Sequence, residues 1–350
     1  MDKKVRIALL SRFDYANVLS NWSYAINKHL PDAEARSISF KPHIFNYPIK
    51  HDYDLAKITD KFILGKAKDF LINADYVLFS EEIYPTAKKS GVLNSIFKIL
   101  SIKNPNEIKA FRNNKIIVFH SGSTYRDSYE KLNDLCSRYW MRLYSPDLYR
   151  LSPMGKNDRV IFPSLHLDEA DIFSEAEVIK TLSARKFGIL HTPSNKKHKN
   201  SNIISKCIND LAPKLQDKGI IYKEVSGISN QEILDIKKDN LFFIDQFNYW
   251  GGLGVSGIES MSTGGIVLCS MQNTHQNVFI KFSSNKKPIP VAYVLYPDQN
   301  DLKEKIERYI GLGDEKLLEI SLKSRAYYLD NFSPKATSYA FVRNIFQEKE

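Results

Sequence analysis

The sequence predicts an α/β protein built as two parallel-sheet units in tandem, and three observations carry that expectation. Its 350 residues exceed what one ordinary hydrophobic core holds and suit two domains of about 150–200 residues each. Apolar residues make up 43% and charged residues 26%, the balance of a globular protein rather than a disordered or fibrous one. Short unbroken apolar runs, the mark of strands buried on both faces, alternate with helical periodicity, and this rhythm starts twice.

In the first half, residues 5–10 read as a buried strand, 18–30 as a helix packed on it and 35–40 as the next strand. Residues 57–72 place Ile58, Phe62, Ile63, Ala67, Phe70 and Leu71 on one helical face, and 76–80 and 116–120 are apolar runs of strand type. The second half restarts with a strand at 187–191, a helix over 203–215, a strand at 220–225, a helix over 231–238 and a strand at 241–245. A helix near 256–262, strands at 266–269 and 291–296, and helices over 302–310, 315–331 and 335–348 complete it. The predicted domains are 1–183 and 184–330, joined near 182–186, with 331–350 returning to the first domain. Both last helices are expected to pack partly there, and they and segment 182–186 are the expected hinges.

The first ten residues hold only a short apolar run interrupted by Arg6, too short for a signal-peptide core or a membrane span. The expected location is therefore cytoplasmic. Cys136, Cys207 and Cys269 are far apart, odd in number and without CxxC spacing, which points to buried reduced thiols rather than a disulfide framework or a zinc site. The formal charge of +10 is spread over both halves with no basic tail. Such a distribution suits an anionic ligand such as a sugar diphosphate, or loose peripheral attraction to the inner face of an anionic membrane, better than nucleic-acid binding, which is not expected. Simple solubility is the plain alternative.

The most informative stretch runs from Asp245 and Gln246 through Gly251, Gly252, Gly254, Ser256 and Glu259 to Gly264, in the order strand, glycine-rich loop, helix, strand. Glycines let a backbone approach a bulky anion, and the following helix offers N–H groups and a positive dipole end to a diphosphate. Glu259, one turn into that helix, can accept hydrogen bonds from two vicinal hydroxyls, or can be an exposed helix residue. Gly252, Gly254 and Gly257 formally match a dinucleotide fingerprint, yet the acidic residue that fingerprint needs about 20 positions on is missing. After Glu259 the next acidic residue is Asp298. A nicotinamide or flavin cofactor is therefore not expected, and no cofactor is.

A second segment follows the strand at 187–191: His191, Thr192, Pro193, Ser194, Asn195, Lys196, Lys197, His198, Lys199 and Asn200. Its lysines are either solvated surface or a phosphate-facing loop, because ligands of parallel sheets bind beyond the carboxyl ends of the strands. In the first half, His120 to Arg126 reads as a strand end, a small-residue loop and a basic side chain, suited to facing a sugar or phosphate. His120 can equally be a core histidine. Asp52-Tyr53-Asp54 has the letters of a metal-binding DxD but reads as the cap of the helix over 57–72, and no metal is expected. There is no G-x-S-x-G, H-E-x-x-H or G-x-x-x-x-G-K-[ST].

At these residues the chain resembles GT-B glycosyltransferases, in particular the retaining family-four-like group with the pattern DQ…G.YG..A.EAM..G.P. Here it reads Asp245-Gln246, Gly251/Gly252, Gly254, Ser256, Glu259-Ser260-Met261 and Gly264, and the 191–200 segment resembles the group's H.PSN…KG element. His120-Ser121-Gly122-Ser123 with Arg126 is similar, more loosely, to its HGS..R element. The resemblance covers about residues 187–270 and implies two Rossmann-like domains facing a cleft. It further implies transfer of a sugar from a nucleoside-diphosphate donor to a hydroxyl acceptor, a glycan or lipid-linked glycan, with retention. It places His191, Ser194, Asn195, Lys196, Lys199, Asp245, Gln246, Gly252, Gly254, Ser256 and Glu259 on the donor. Lys196 or Lys199 would meet the diphosphate and Glu259 the ribose. His120 and Arg126 take the catalytic side, Asn17 and Ser123 the acceptor side; Asn17 otherwise reads as the N-cap of the helix from Val18. An epimerase or phosphorylase on the same fold, or an inactive nucleotide-sugar-binding protein, is the alternative. Three departures stand out: Gly251 occupies the position of a sugar-binding glutamate, Lys199-Asn200 replaces Lys-Gly, and residues 11–17 replace a glycine-rich turn.

Overall fold

The computed structural model describes residues 4–40, 47, 50–80, 91–137, 139–165, 167, 171–248, 251–295 and 297–346. The chain divides into two compact units, Met1–His166 with Ser333–Glu350, and Leu167–Phe332. Among the described residues each unit is built on one fully parallel sheet.

The first unit holds β1 (Val5–Ser11), α1 (Val18–His29), β2 (Ala33–Ser39), β3 (Tyr53–Asp54), α2 (Lys61–Ile72), β4 (Tyr76–Ser80), α3 (Gly91–Ile99), α4 (Lys109–Arg112), β5 (Ile116–His120), α5 (Ser123–Cys136), β6 (Met141–Tyr144) and β7 (Asp158–Val160). Its seven strands lie in the order β3-β2-β1-β4-β5-β6-β7. The central strands bury their side chains on both faces, as their unbroken apolar runs demand. Trp22 of α1 is fully buried and meets Phe119 at 4.9 Å between ring centroids. Asp60 starts α2 by accepting the Phe62 N–H at 2.7 Å. The DxD letters are therefore not its cap. Tyr53–Asp54 is an edge strand on β2, and Asp52 accepts from Ser37 N (2.7 Å), Ser23 Oγ (2.7 Å) and Arg36 Nη1 (3.0 Å).

The second unit runs α6 (Glu175–Arg185), β8 (Gly188–His191), α7 (Ser201–Asp217), β9 (Ile221–Glu224), α8 (Asn230–Lys238), β10 (Phe242–Ile244), α9 (Val255–Ser262), β11 (Ile266–Ser270), α10 (Asn273–Phe282), β12 (Ala292–Val294), α11 (Gln299–Ile310) and α12 (Asp314–Asn331). The strand order is β12-β11-β10-β8-β9. Ile189, Phe242, Ile244, Ile266 and Leu268 pack between the helices, with Leu211, Leu302, Ile306 and Leu317 closing the core. Ser174 and Ser229 open α6 and α8 with capping boxes completed by Glu177 and Glu232. The chain then returns to the first unit in α13 (Pro334–Phe346), which lies on α1 through Phe341 against Trp22 at 5.2 Å.

Three expectations need correction. The first unit ends at 166 rather than 183, because α6 belongs to the second unit, with Val178 and Leu182 buried. Segment 182–186 is no loose joint: the buried Arg185 guanidinium donates to Thr263 O (2.7 Å) and Asn240 O (3.2 Å). Of the two terminal helices expected on the first unit, α12 stays in the second, where Ser321 and Ser324 donate to Gly264 O (2.5 Å) and Gly265 O (2.7 Å). Residue 296 and residues 347–348 of the predicted elements lie outside the described residues. Cys136, Cys207 and Cys269 are buried thiols outside any disulfide. Among the described residues no helix is long and apolar enough to cross a membrane.

Candidate functional site

In the second unit the order reverses at β8, whose neighbours are β9 and β10, so the crevice beyond the ends of β8 and β10 is where a parallel sheet binds ligands. Both sequence motifs end there. His191, at the end of β8, is buried, donates from Nδ1 to Ile244 O (2.7 Å) and meets Ser201 Oγ through Nε2 (2.9 Å). Burial holds its pKa below the ordinary value, so the neutral ring donates at one nitrogen and accepts at the other. It fixes the β8 end to the start of α7 rather than facing a ligand.

The 195–200 loop is stitched to the segment after β10. Asn248 Nδ2 donates to His198 O (2.8 Å), Asn200 Nδ2 to Phe247 O (2.8 Å), and Phe247 N to Lys199 O (3.2 Å). Asn195 Oδ1 accepts the His198 N–H at 3.0 Å, and Ser194 is exposed. Asn200 adopts φ 52° and ψ 43°, a left-handed geometry that glycine favours and asparagine tolerates, so the replacement at this position keeps the turn. Lys196 is exposed and pairs with Glu224 at 2.7 Å, whereas Lys199 is largely buried and pairs with Asp245.

Asp245 is fully buried and spends its second oxygen on the Gly254 N–H at 2.5 Å. It shapes the loop and holds Lys199. Gln246 Nε2 donates to Gly252 O at 3.0 Å, and Gly252 N donates to Ser270 O at 2.6 Å. Gly251 has φ 49°, and a Cβ there would lie 2.7 Å from Ser270 O. No side chain, a glutamate included, fits that position without moving the backbone.

α9 starts at Gly254 as N-cap and no side chain caps it. Ser256, in its first turn, meets Thr192 Oγ1 at 2.9 Å and accepts from Lys237 Nζ at 2.8 Å. Lys237 also donates to Glu259 Oε2 at 2.5 Å, and Asn230 Nδ2 donates to Glu259 Oε1 at 3.0 Å. Both members of the Lys237–Glu259 pair are buried, which excludes the reading of Glu259 as an exposed helix residue. Burial pulls the Lys237 pKa down, opposed by the Glu259 carboxylate. The sequence reading missed Lys237 and Asn230, because Lys237-Lys238 at a helix end looks like solvated charge. Spacing was the available signal: Lys237 follows the buried Leu234 by three residues and so shares its face.

In the first unit His120 is fully buried, its ring 4.3 Å from that of Tyr125 and 4.9 Å from that of Tyr144. Burial, reinforced by the Arg142 charge, pushes its pKa down to about 3. This is the core histidine the sequence left open. Arg126 lies 3.8 Å from Asp147 with its side chain mostly covered. Asn17 is buried in a left-handed conformation, its amide donating to Asn21 Oδ1 at 3.1 Å. It stands at the N-cap position without capping; Asp14 accepts the Leu19 and Ser20 N–H groups instead, both at 2.8 Å. Ser123 opens α5, and its side chain lies outside what the structure describes. Among the described residues no group of three or more His, Cys, Asp or Glu is placed to hold a metal ion.

No protein-family model and no curated protein matches the chain. Solved structures match along its whole length. An alpha-glucosyltransferase in complex with UDP and a 13-mer DNA containing an HMU base has 12% identity and a TM-score of 0.59, covering 99% of this chain and 100% of that one. HepE from Anabaena in complex with UDP and glucose has 10% identity and a TM-score of 0.58, covering 98% and 100%. A glycosyltransferase from Rickettsia africae has 12% identity and a TM-score of 0.58, covering both chains fully. A UDP-N-acetylglucosamine 2-epimerase also matches, at 12% identity and a TM-score of 0.50, over 99% and 98%. At such identities the likeness is one of fold, and that fold is the GT-B type anticipated from the sequence.

Proposed function

We propose, from a fold shared end to end with structures that hold UDP, that this chain is a glycosyltransferase moving a sugar from a nucleoside-diphosphate donor to a hydroxyl acceptor. The observation that carries the reading is the uncapped start of α9 with Ser256, Lys199 and Glu259 gathered around it. The diphosphate would lie on the α9 N–H groups, with Ser256 and Lys199 taking its oxygens and the ribose hydroxyls bonding to Glu259. Neutralisation by dipole and lysine supports a reaction that needs no divalent ion. Lys196 serves at the rim, and His191, Asp245, Gln246, Gly252 and Gly254 set the shape of the pocket; Ser194 and Asn195 belong to its loop.

Arg126 would stand on the acceptor side, with Asn17 following β1 and Ser123 following β5 in sequence. His120, neutral and enclosed, would position Tyr125 and Tyr144 rather than exchange protons. With no side-chain nucleophile assigned, retention would proceed by attack on an oxocarbenium-like centre from the face the diphosphate leaves. The acceptor we favour is a glycan or lipid-linked glycan, reached by a cytoplasmic enzyme with peripheral attraction to the inner membrane face. The expectation of no nucleic acid does not gain support, since one fold neighbour holds DNA, so DNA belongs in the acceptor panel.

The test is incubation of the protein with nucleotide sugars, with and without a panel of glycan, lipid-linked and DNA acceptors, following nucleotide release in excess EDTA. Acceptor-dependent release that survives chelation is expected. Conversion of the nucleotide sugar without any acceptor would favour the epimerase reading, for which one fold neighbour is the supporting observation. Binding without turnover would favour an inactive binding protein, and activity restored only by magnesium or manganese would overturn the metal-free reaction.

A further inference from the structure

Lys237 reaches two acceptors at the same end of α9, Glu259 Oε2 at 2.5 Å and Ser256 Oγ at 2.8 Å. An ammonium group only donates, so Ser256 must accept from it, and the serine's own proton is left for another partner. Thr192 Oγ1, 2.9 Å away, is a hydroxyl placed to accept that proton, and either oxygen of this pair can donate to the other. The Lys237 side chain is 1% exposed, and its Nζ lies 5.0 Å from the centre of the Phe243 ring, so a ligand meets it through Ser256 rather than directly.

Resting on the donor site proposed above, we propose that Lys237 is a positioning residue of that site, delivering the Ser256 hydroxyl proton to a phosphate oxygen of a nucleoside diphosphate while holding the Glu259 carboxylate for the ribose. Thr192 keeps that proton while no ligand is bound. Two residues that touch the ligand are thereby set by one buried cation that does not. The arrangement favours an anion at the start of α9, because the Lys237 charge behind Ser256 takes up one of its acceptor sites and leaves its proton free to be donated.

Replacing Lys237 alone would leave Glu259 buried without a counter-charge, so the informative variant is Lys237→Met/Glu259→Gln, which removes both charges and keeps the volume. Uridine diphosphate is the probe, measured by calorimetry on the full chain as wild type, Ser256→Ala, Lys237→Met/Glu259→Gln, and the triple variant. Ser256→Ala is expected to weaken binding about tenfold in the wild type and to change little in the charge-free background, the non-additivity of groups acting as one unit. The charge-free variant itself should melt cooperatively and bind more weakly than wild type. Equal losses from Ser256→Ala in both backgrounds, or wild-type affinity in the charge-free variant, would overturn the inference. Should wild type bind none of UDP, GDP and ADP, the donor site itself falls, a result distinct from either of those.

Discussion

The starts of α1 and α9 each follow a strand of a parallel sheet, and the chain treats them in opposite ways. At α1 the buried Asp14 carboxylate accepts the Leu19 and Ser20 N–H groups at 2.8 Å, with His51 4.0 Å away. The protein's own anion fills the positive end of that helix, although burial raises the Asp14 pKa above the usual carboxylate range. At α9 the nearest carboxylate, Asp245, stops at the Gly254 N–H and leaves the first turn uncapped. The start of α1 is closed by a side chain, whereas the start of α9 is not. That contrast, together with the glycine loop, supports the proposal that the donor binds in the second unit.

The largest effects should come from the buried ion pairs that frame the open site. Glu259→Ala and Lys199→Ala each strand a buried partner, Lys237 or Asp245, and should cost about 3–5 kcal/mol in denaturant unfolding. Wild-type midpoints for both variants would break the picture of a site built on buried charge. Next is His120, whose folded pKa of about 3 lies below its ordinary 6.5. The unfolded chain binds the extra proton, so stability is full above about pH 6.5 and declines as pH falls, by about 2 kcal/mol from this residue between pH 7 and 5. A His120→Phe variant should lose that part of the acid sensitivity in thermal melts, and an unchanged pH slope would contradict the burial.

Asp14→Ala sharpens the comparison directly. Losing two capped N–H groups should cost about 1–2 kcal/mol while leaving affinity for uridine diphosphate as it was. A tighter complex would mean that the first unit also takes the nucleotide once its own carboxylate is gone. The smallest effect belongs to Lys196→Ala, whose exposed pair with Glu224 should contribute below about 1 kcal/mol to stability. Its influence should appear as reduced salt dependence of donor binding, and a large stability loss would show that the loop is more than a rim.

Periodicity was sufficient where a segment is buried for a single reason. β4 and β5 are the two apolar runs 76–80 and 116–120, matched residue for residue. β6 and β7 went unread because their runs are interrupted by Arg142 and Asp158, which pair at 2.5 Å inside the sheet edge, a compensation no local pattern reveals. Segment 182–186, the end of α6, was read as a joint because what anchors it, Arg185 on Thr263 O, spans 78 residues of sequence. The site divides the same way. The glycine loop, Ser256 and Glu259 were legible as a motif, while the partners that decide their chemistry sit on other elements. Lys237 is 22 residues from Glu259, and Thr192 is 64 from Ser256.

The Lys237–Glu259 pair also constrains how the sequence can change over generations. A descendant that replaces either residue alone must pass through a chain carrying one lone charge in its interior, at a cost comparable to a large part of a domain's total stability. The two positions are therefore expected to be inherited together or exchanged together, most easily for two neutral residues in close succession. Relatives of this protein should fall into two groups, those with both charges and those with neither, and intermediates should be scarce.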